Sequence, residues 1–225
     1  MTDVKSEMKN DPVHMPTDVL TRRIQASDLP DVAAVHMLAF PESALTMLGT
    51  EAVRRYYEWQ LVGPHDVVAL SALIDSELVG FCFGGIFRGA MSGFVRKNRR
   101  FLIGHVLANP YLIRNPIFRD RLAAGARVLR SRAQPKAPAP HPPSQRLNHF
   151  GILAIAVHPG RQGLGIGKLL MAEAEDAARR QGFREMGLTV NPRNHQAVEF
   201  YERLNWIRFS KDSVWTGQMK KSLAS

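Results

Sequence analysis

The stretch that most restricts the fold is "FGILAIAVHPGRQGLGIGKLLMAEAEDAARRQG", residues 150–182. It opens with an apolar run that has no polar side, as in a strand covered on both faces. It closes with apolar residues at helical spacing, and Glu175 and Asp176 stand four residues before Arg179 and Arg180, where a helix would pair them. Gly182 follows where a C-terminal cap belongs. Between the strand and the helix lie Gly163, Gly165 and Gly167 at alternate positions. Such a turn exposes main-chain N–H groups at the positive end of the helix dipole, a setting that binds phosphate. Glycine lets a ligand approach that backbone closely. Two nucleotide-binding patterns fail on spacing. In G-x-G-x-x-G counted from Gly163 the last position is Lys168, and a P-loop would need Ser or Thr where Leu169 stands and Gly where Gln162 stands.

The rest of the chain reads as further strands and helices of a mixed α/β domain. "VLTRRIQ" is a first strand and "ASDLPDVAAVHMLAF" a helix, capped by Ser27 or Asp28 with Pro30 in its first turn. "GTEAVRRYYEWQL" is a second helix, with Val53, Tyr56, Tyr57 and Gln60 at helical spacing. "DVVALSALID" and "ELVGFCFGGIF" are strands two and three of a hairpin. After the glycine unit come the strand "REMGLTV", the helix "NHQAVEFYERL", and "WIRF" and "SVWTGQMKK" as closing strands. Residues 1–18 read as a flexible tail and residues 19–225 as one domain.

Residues 88–146 interrupt this order. They hold thirteen Lys and Arg against a single acid, Asp120, whereas the whole 225-residue chain has a formal charge of +10. The basic character therefore belongs to one segment. Two amphipathic basic helices are expected near 92–107 and 116–132, within a helical insertion over 88–132 between the third and fourth strands. A Pro/Ala-rich linker over 133–146 follows, since "SRAQPKAPAPHPPSQR" cannot bury much surface. An anionic partner near the insertion is the functional expectation.

No apolar run is long enough for a membrane span, and the N-terminus lacks the apolar core of a secretory signal. Cys82 is the only cysteine and sits in the apolar "LVGFCFGG", which excludes an internal disulfide and a cysteine-based zinc cluster and suggests a buried thiol. No metal site is expected. These features read as a cytoplasmic protein, with peripheral attachment to the inner membrane face as an option.

The spacing Q-x-x-G-x-G (Gln162, Gly165, Gly167), joined to Val157-His158-Pro159, the long helix, and N-x-x-A-x-x-x-Y (Asn194, Ala197, Tyr201), resembles the GNAT superfamily of acyl-CoA-dependent N-acyltransferases. The resemblance is strong over residues 153–209, weaker over the N-terminal strand, helices and hairpin, and absent from the tail and insertion. It implies a mostly antiparallel mixed sheet flanked by helices, with acetyl-CoA as cosubstrate and an amine as acceptor. Ile155, Ala156 and Val157 would offer backbone groups to the pantetheine arm and an N–H to the thioester oxygen. The turn of Gln162, Gly163, Leu164, Gly165, Ile166, Gly167 and Lys168 would wrap the pyrophosphate. Asn194 would contact the cofactor. Tyr201 would stand by the thioester sulfur and protonate the leaving thiolate.

The base that deprotonates the amine is less defined. "NHFGILAIAV" has no carboxylate, so His149 at its start, with a pKa suited to base work, is one candidate. Glu42 in "FPES" is another, and a water relay is a third; His158 falls on the cofactor side and reads as structural. The insertion has three readings: a solvated surface, a lid drawing in an anionic acceptor, or a contact for acidic lipid through Phe94, Phe101, Leu102, Ile103 and Val106. "AFPESALTMLGTEAVRRYYEWQL" also resembles GNAT proteins of bacterial surface-polysaccharide pathways, which implies an amino sugar ahead of other small amines, and these ahead of a peptide or protein acceptor. Nucleic acid is not expected, for no recognition motif accompanies the charge. A non-catalytic CoA-binding module is the reading of a different class.

Overall fold

The computed structural model describes residues 19–114, 149–210 and 214–223. Its centre is a seven-stranded sheet in the order β1-β2-β3-β4-β5-β7-β6. The strands are β1 (Leu20–Arg23), β2 (Asp66–Ile74), β3 (Glu77–Ile86), β4 (Phe150–Val157), β5 (Glu185–Thr189), β6 (Ile207–Arg208) and β7 (Gln218–Ser222). Every pairing is antiparallel except β4 with β5. This is the mixed, mostly antiparallel sheet the sequence led us to expect.

The first half supplies α1 (Leu29–Ala39), α2 (Ala44–Met47) and α3 (Thr50–Val62). The short α2 has no counterpart in the sequence reading. It forms because Ser43 caps it, its Oγ accepting from the Thr46 N–H at 2.9 Å. The β2–β3 hairpin turns on Asp75 and Ser76, both at positive φ, as a two-residue turn matched to strand twist requires.

The second half supplies α7 (Ile166–Arg180) and α8 (His195–Arg203). Gly182 ends α7 at φ 81°, with the Phe183 N–H donating back to the Ala178 carbonyl at 3.0 Å. Of the two ion pairs expected on α7, Glu175 with Arg179 forms at 3.6 Å, while Asp176 meets Arg179 and not Arg180. Glu175 also reaches across to Lys221 on β7 at 2.6 Å.

Two cores lie on opposite faces of the sheet. One packs α7 and α8 through Ile166, Leu170, Met171 and Val198, with Trp206 just after α8, against Phe150, Ile152 and Met186. The other packs α1 and α3 through Val32, Val35, Val53 and Tyr57 against Phe81 and Phe83.

The basic segment begins as α4 (Ala90–Lys97), α5 (Arg99–Ala108) and α6 (Tyr111–Arg114). The single helix expected near 92–107 is thus broken. Buried Asn98 sits at the break with its side-chain amide donating to the Phe94 carbonyl at 3.1 Å, competing with the helix ladder. The α4 helix belongs to the domain core, since Phe94 is 1% exposed and meets Tyr56 edge-on at 5.4 Å. The tail 1–18, the second expected helix near 116–132 and the linker 133–146 lie outside the described residues.

Candidate active site

The site is made by two strands that part. β4 and β5 pair only at Phe150–Met186, Gly151–Gly187 and Ile152–Leu188. Beyond that point β5 follows β7, its register running on to Thr189–Gln218 with a further bond from the Val190 N–H to Gly217. β4 keeps only β3 as a neighbour. A bulge at Leu153 accompanies the parting, because Phe83 opposes Ala154 while Gly84 opposes Ile152. A bulge leaves an extra residue unpaired and redirects the strand. Ile155, Ala156 and Val157 therefore present the β5-facing half of their N–H and carbonyl groups to an open cleft.

At the end of β4 the chain makes a 3-10 turn over Pro159–Arg161 and then the glycine turn. His158 is structural there, its Nδ1 accepting from the Gly160 N–H at 3.1 Å. Gln162 ties the turn to the strand by donating to the Val157 carbonyl at 3.2 Å. Gly163 and Gly165 lie at φ 82° and 77°, the left-handed region that side chains resist. Gly165 is the N-cap of α7 and has no side chain to cap it. The first ladder bond comes from the Leu169 N–H to the Gly165 carbonyl, so the amides of Ile166, Gly167 and Lys168 have no intrahelical acceptor. Gly167 serves packing as well, since a Cβ there would sit 3.3 Å from the Phe200 ring of α8. Leu164 and Ile166 anchor the turn in the core, and Lys168 is exposed beside it. The turn presents main-chain N–H groups with a cation at its rim, a geometry suited to an anion.

α8 contributes the two remaining residues. Asn194 caps it, its Oδ1 accepting from the Ala197 N–H at 3.1 Å, which leaves the side-chain NH₂ for a ligand. Tyr201 is 8% exposed and lies in the core on the Cys82 side of β4. Its hydroxyl makes no hydrogen bond among the described residues. Burial raises its pKa, with Cys82 adding to the effect, so the phenol stays protonated. Cys82 is fully buried and burial pushes its thiol up to about 12, which makes it a poor nucleophile.

The candidate bases are His149 and Glu42. His149 immediately precedes β4 and lies six residues from Ile155, roughly 20 Å along an extended strand. Its ring lies over Gly187, where a Cβ would clash with the imidazole. Its Nδ1 is 3.3 Å from Glu185, which also takes Lys220 at 3.0 Å. Burial lowers the His149 pKa, partly offset by Glu185. Glu185 and Lys220 carry no motif, and only the strand register reveals them. His149 does line a cleft of about 460 Å³ with Gly151, Leu153, Gly187, Thr189 and Lys220, on the sheet face away from α7. Glu42 is exposed and makes no hydrogen bond or ion pair among the described residues. Its loop is fixed instead by His36, whose Nδ1 meets the Tyr57 hydroxyl at 2.9 Å and whose Nε2 meets Ser43 at 3.3 Å. No group of three or more His, Cys, Asp or Glu among the described residues is placed to hold a metal ion. No helix among them is long and apolar enough to cross a membrane.

These features meet known proteins at the level of family and fold. The acetyltransferase (GNAT) family model matches residues 117–206. No curated protein matches the sequence. Among solved structures, the PaiA N-acetyltransferase of Thermoplasma acidophilum, solved with coenzyme A, is similar at 15% identity and TM-score 0.56, over 92% of this chain and 99% of that one. YncA of Salmonella typhimurium, a putative acetyltransferase solved with acetyl-CoA, is similar at 16% identity and TM-score 0.54, over 93% of this chain and 96% of that one. The ribosomal-protein-S18-alanine N-acetyltransferase of Escherichia coli is similar at 12% identity and TM-score 0.53, over 92% of this chain and 96% of that one. The chain thus matches the acetyltransferase (GNAT) family model over residues 117–206 and shares the fold of these solved N-acetyltransferases across its sheet.

Proposed function

We propose that this protein transfers an acetyl group from acetyl-CoA directly to a primary amine, within a complex of enzyme and both substrates. The observation that carries the reading is the parting of β4 from β5 beside an uncapped, glycine-lined helix start. The cleft accepts an extended chain with a thioester at one end, and the cradle accepts a pyrophosphate at the other. The amides of Gly163 to Lys168 hold the phosphates, with Lys168 adding charge. Asn194 donates its side-chain amide to the cofactor. The open backbone edge of Ile155 to Val157 holds the pantetheine arm and supplies an N–H to the oxyanion that forms when the amine attacks. Tyr201 donates its proton to the departing thiolate, and its burial keeps that proton in place until then. Inert Cys82 leaves no nearby thiol for an acyl-enzyme.

The acceptor enters from the cleft lined by His149, Thr189 and Lys220. Its polar rim suits a small amine such as an amino sugar, and Lys220 favours one that bears an anionic group, such as a nucleotide-linked amino sugar. Glu42 from the α1–α2 loop and a water relay are the candidate routes for the amine's proton; His149, roughly 20 Å along β4 from Ile155, reaches the amine only through a chain of several waters. A peptide N-terminus is the second acceptor class, on the strength of the similar ribosomal-protein acetyltransferase. The experiment is a panel of amino sugars, small amines and peptides with acetyl-CoA, read by release of free CoA thiol. Turnover with an amino sugar is expected. Tight CoA binding with no turnover on any amine would leave only a CoA-binding module.

A further inference from the structure

Residues 88–114 carry a surface that acetyl transfer does not use. From Leu78 to Arg119 the chain has neither Asp nor Glu. On α5, Leu102 packs into the core while Ile103 and Leu107 face outward, 60% and 74% exposed. With Arg99 they form a row at i, i+4 and i+8, so the outward face of α5 is apolar with a cation at its start. Met91 and Tyr111, each more than half exposed, flank it. Arg99 also lines, with Arg88, Arg96 and Trp59, a cleft of about 480 Å³. Arg96, Arg99 and Arg100 are exposed and have no hydrogen bond or ion pair among the described residues.

The charge decides what covers this face. A second copy would bring the same cations against it. The chain's own continuation repels it too, since residues 115–146 add seven Lys and Arg against Asp120 alone. An anionic lipid surface meets both needs at once: the apolar row enters the boundary between headgroups and acyl chains, and guanidinium groups bind phosphate oxygens in pairs. We propose that α4 and α5 form a docking surface for membranes containing anionic lipid. Ile103 and Leu107 insert, and Arg96, Arg99 and Arg100 hold headgroup phosphates. The inference is independent of the acetyl-transfer reading.

The test is flotation of the full chain with vesicles of phosphatidylcholine alone or with phosphatidylglycerol added. Binding is expected only to the anionic vesicles, and it falls as salt screens the charges. Partitioning should drop about fivefold for each cation removed in the triple variant Arg96→Ser, Arg99→Ser, Arg100→Ser. The variant Ile103→Ser, Leu107→Ser should also bind less, with its charge unchanged. Both variants alter exposed side chains and should keep the parent's circular dichroism and its CoA release in vesicle-free buffer. Three results would overturn the proposal: no binding to anionic vesicles at low salt, binding that neither variant weakens, or self-association of the parent that Ile103→Ser, Leu107→Ser abolishes. Retention on RNA without any vesicle binding would overturn it as well.

Discussion

Tyr201 combines a buried ring with a hydroxyl that has no protein partner among the described residues. A tyrosine kept only for packing loses little when its oxygen is removed. One that protonates a thiolate loses its catalytic contribution, about 10² in rate or more for a positioned acid. Tyr201→Phe should therefore lower kcat by about a hundredfold while CoA affinity, measured by calorimetry, and melting temperature stay near the parent's. Unchanged kcat with weakened CoA binding would make Tyr201 a cofactor contact only. Glu175 and Lys221 present the opposite case. Their 2.6 Å pair is 9% and 15% exposed and joins α7 to the far strand β7. Replacing Lys221 by Met leaves the Glu175 carboxylate buried with only the looser Arg179 at 3.6 Å. Removing one partner of a buried pair costs about 3–5 kcal/mol, so denaturant unfolding should show a loss approaching that range.

The element on which the proposed donor site rests is the strand–turn–helix of β4 and α7. Gly165 is held at φ 77° at the head of that helix. An alanine there would adopt a left-handed backbone at about 1–2 kcal/mol and would place a methyl group against the cradle. Gly165→Ala should therefore melt earlier and bind CoA more weakly. An equal loss of affinity for dephosphorylated pantetheine would move the defect away from the phosphates. This element was legible in the sequence because its signals are local: glycine spacing, helical period, cap and charge pairs lie within a few residues of one another. Asn194 and Tyr201 were singled out only through the family spacing N-x-x-A-x-x-x-Y, and the Asn194 cap is visible only in the structure. The open backbone of Ile155 to Val157 was legible only through family resemblance, since the parting of β4 from β5 and the Leu153 bulge depend on register with other strands. The His149–Glu185–Lys220 cluster was not legible, for it joins three strands that are remote in sequence. The break at Asn98 is local, but it competes with an apolar period that continues on both sides of it.

At the scale of the whole molecule, the α1–α3 side of the core contains a histidine that ties stability to pH. His36 is 6% exposed and faces the Tyr57 hydroxyl, Ser43 and the Phe40 ring, with no carboxylate beside it. Burial lowers its pKa from 6.5 to about 4. The folded protein therefore resists a proton that the unfolded chain accepts. Stability from this group is complete above pH 6.5 and is lost as pH falls toward 4. A shift of that size corresponds to about 3 kcal/mol at most. His65 and His149 shift in the same direction through burial and add to the slope. Asp28, lowered by its bonds to Arg22, and Glu51, lowered to about 2 by its bonds to Arg54 and Arg55, act near and below their usual values of 3.8 and 4.5, so Glu51 adds to the slope only at the acid end of this window. Unfolding free energy measured across pH 7 to 4.5 should fall by as much as about 1.4 kcal/mol per pH unit for each group that titrates. In His36→Gln the absolute stability drops, but the slope should flatten by the share of one group. The slope is read independently of the drop, so a variant with the parent's slope would place the proton uptake elsewhere.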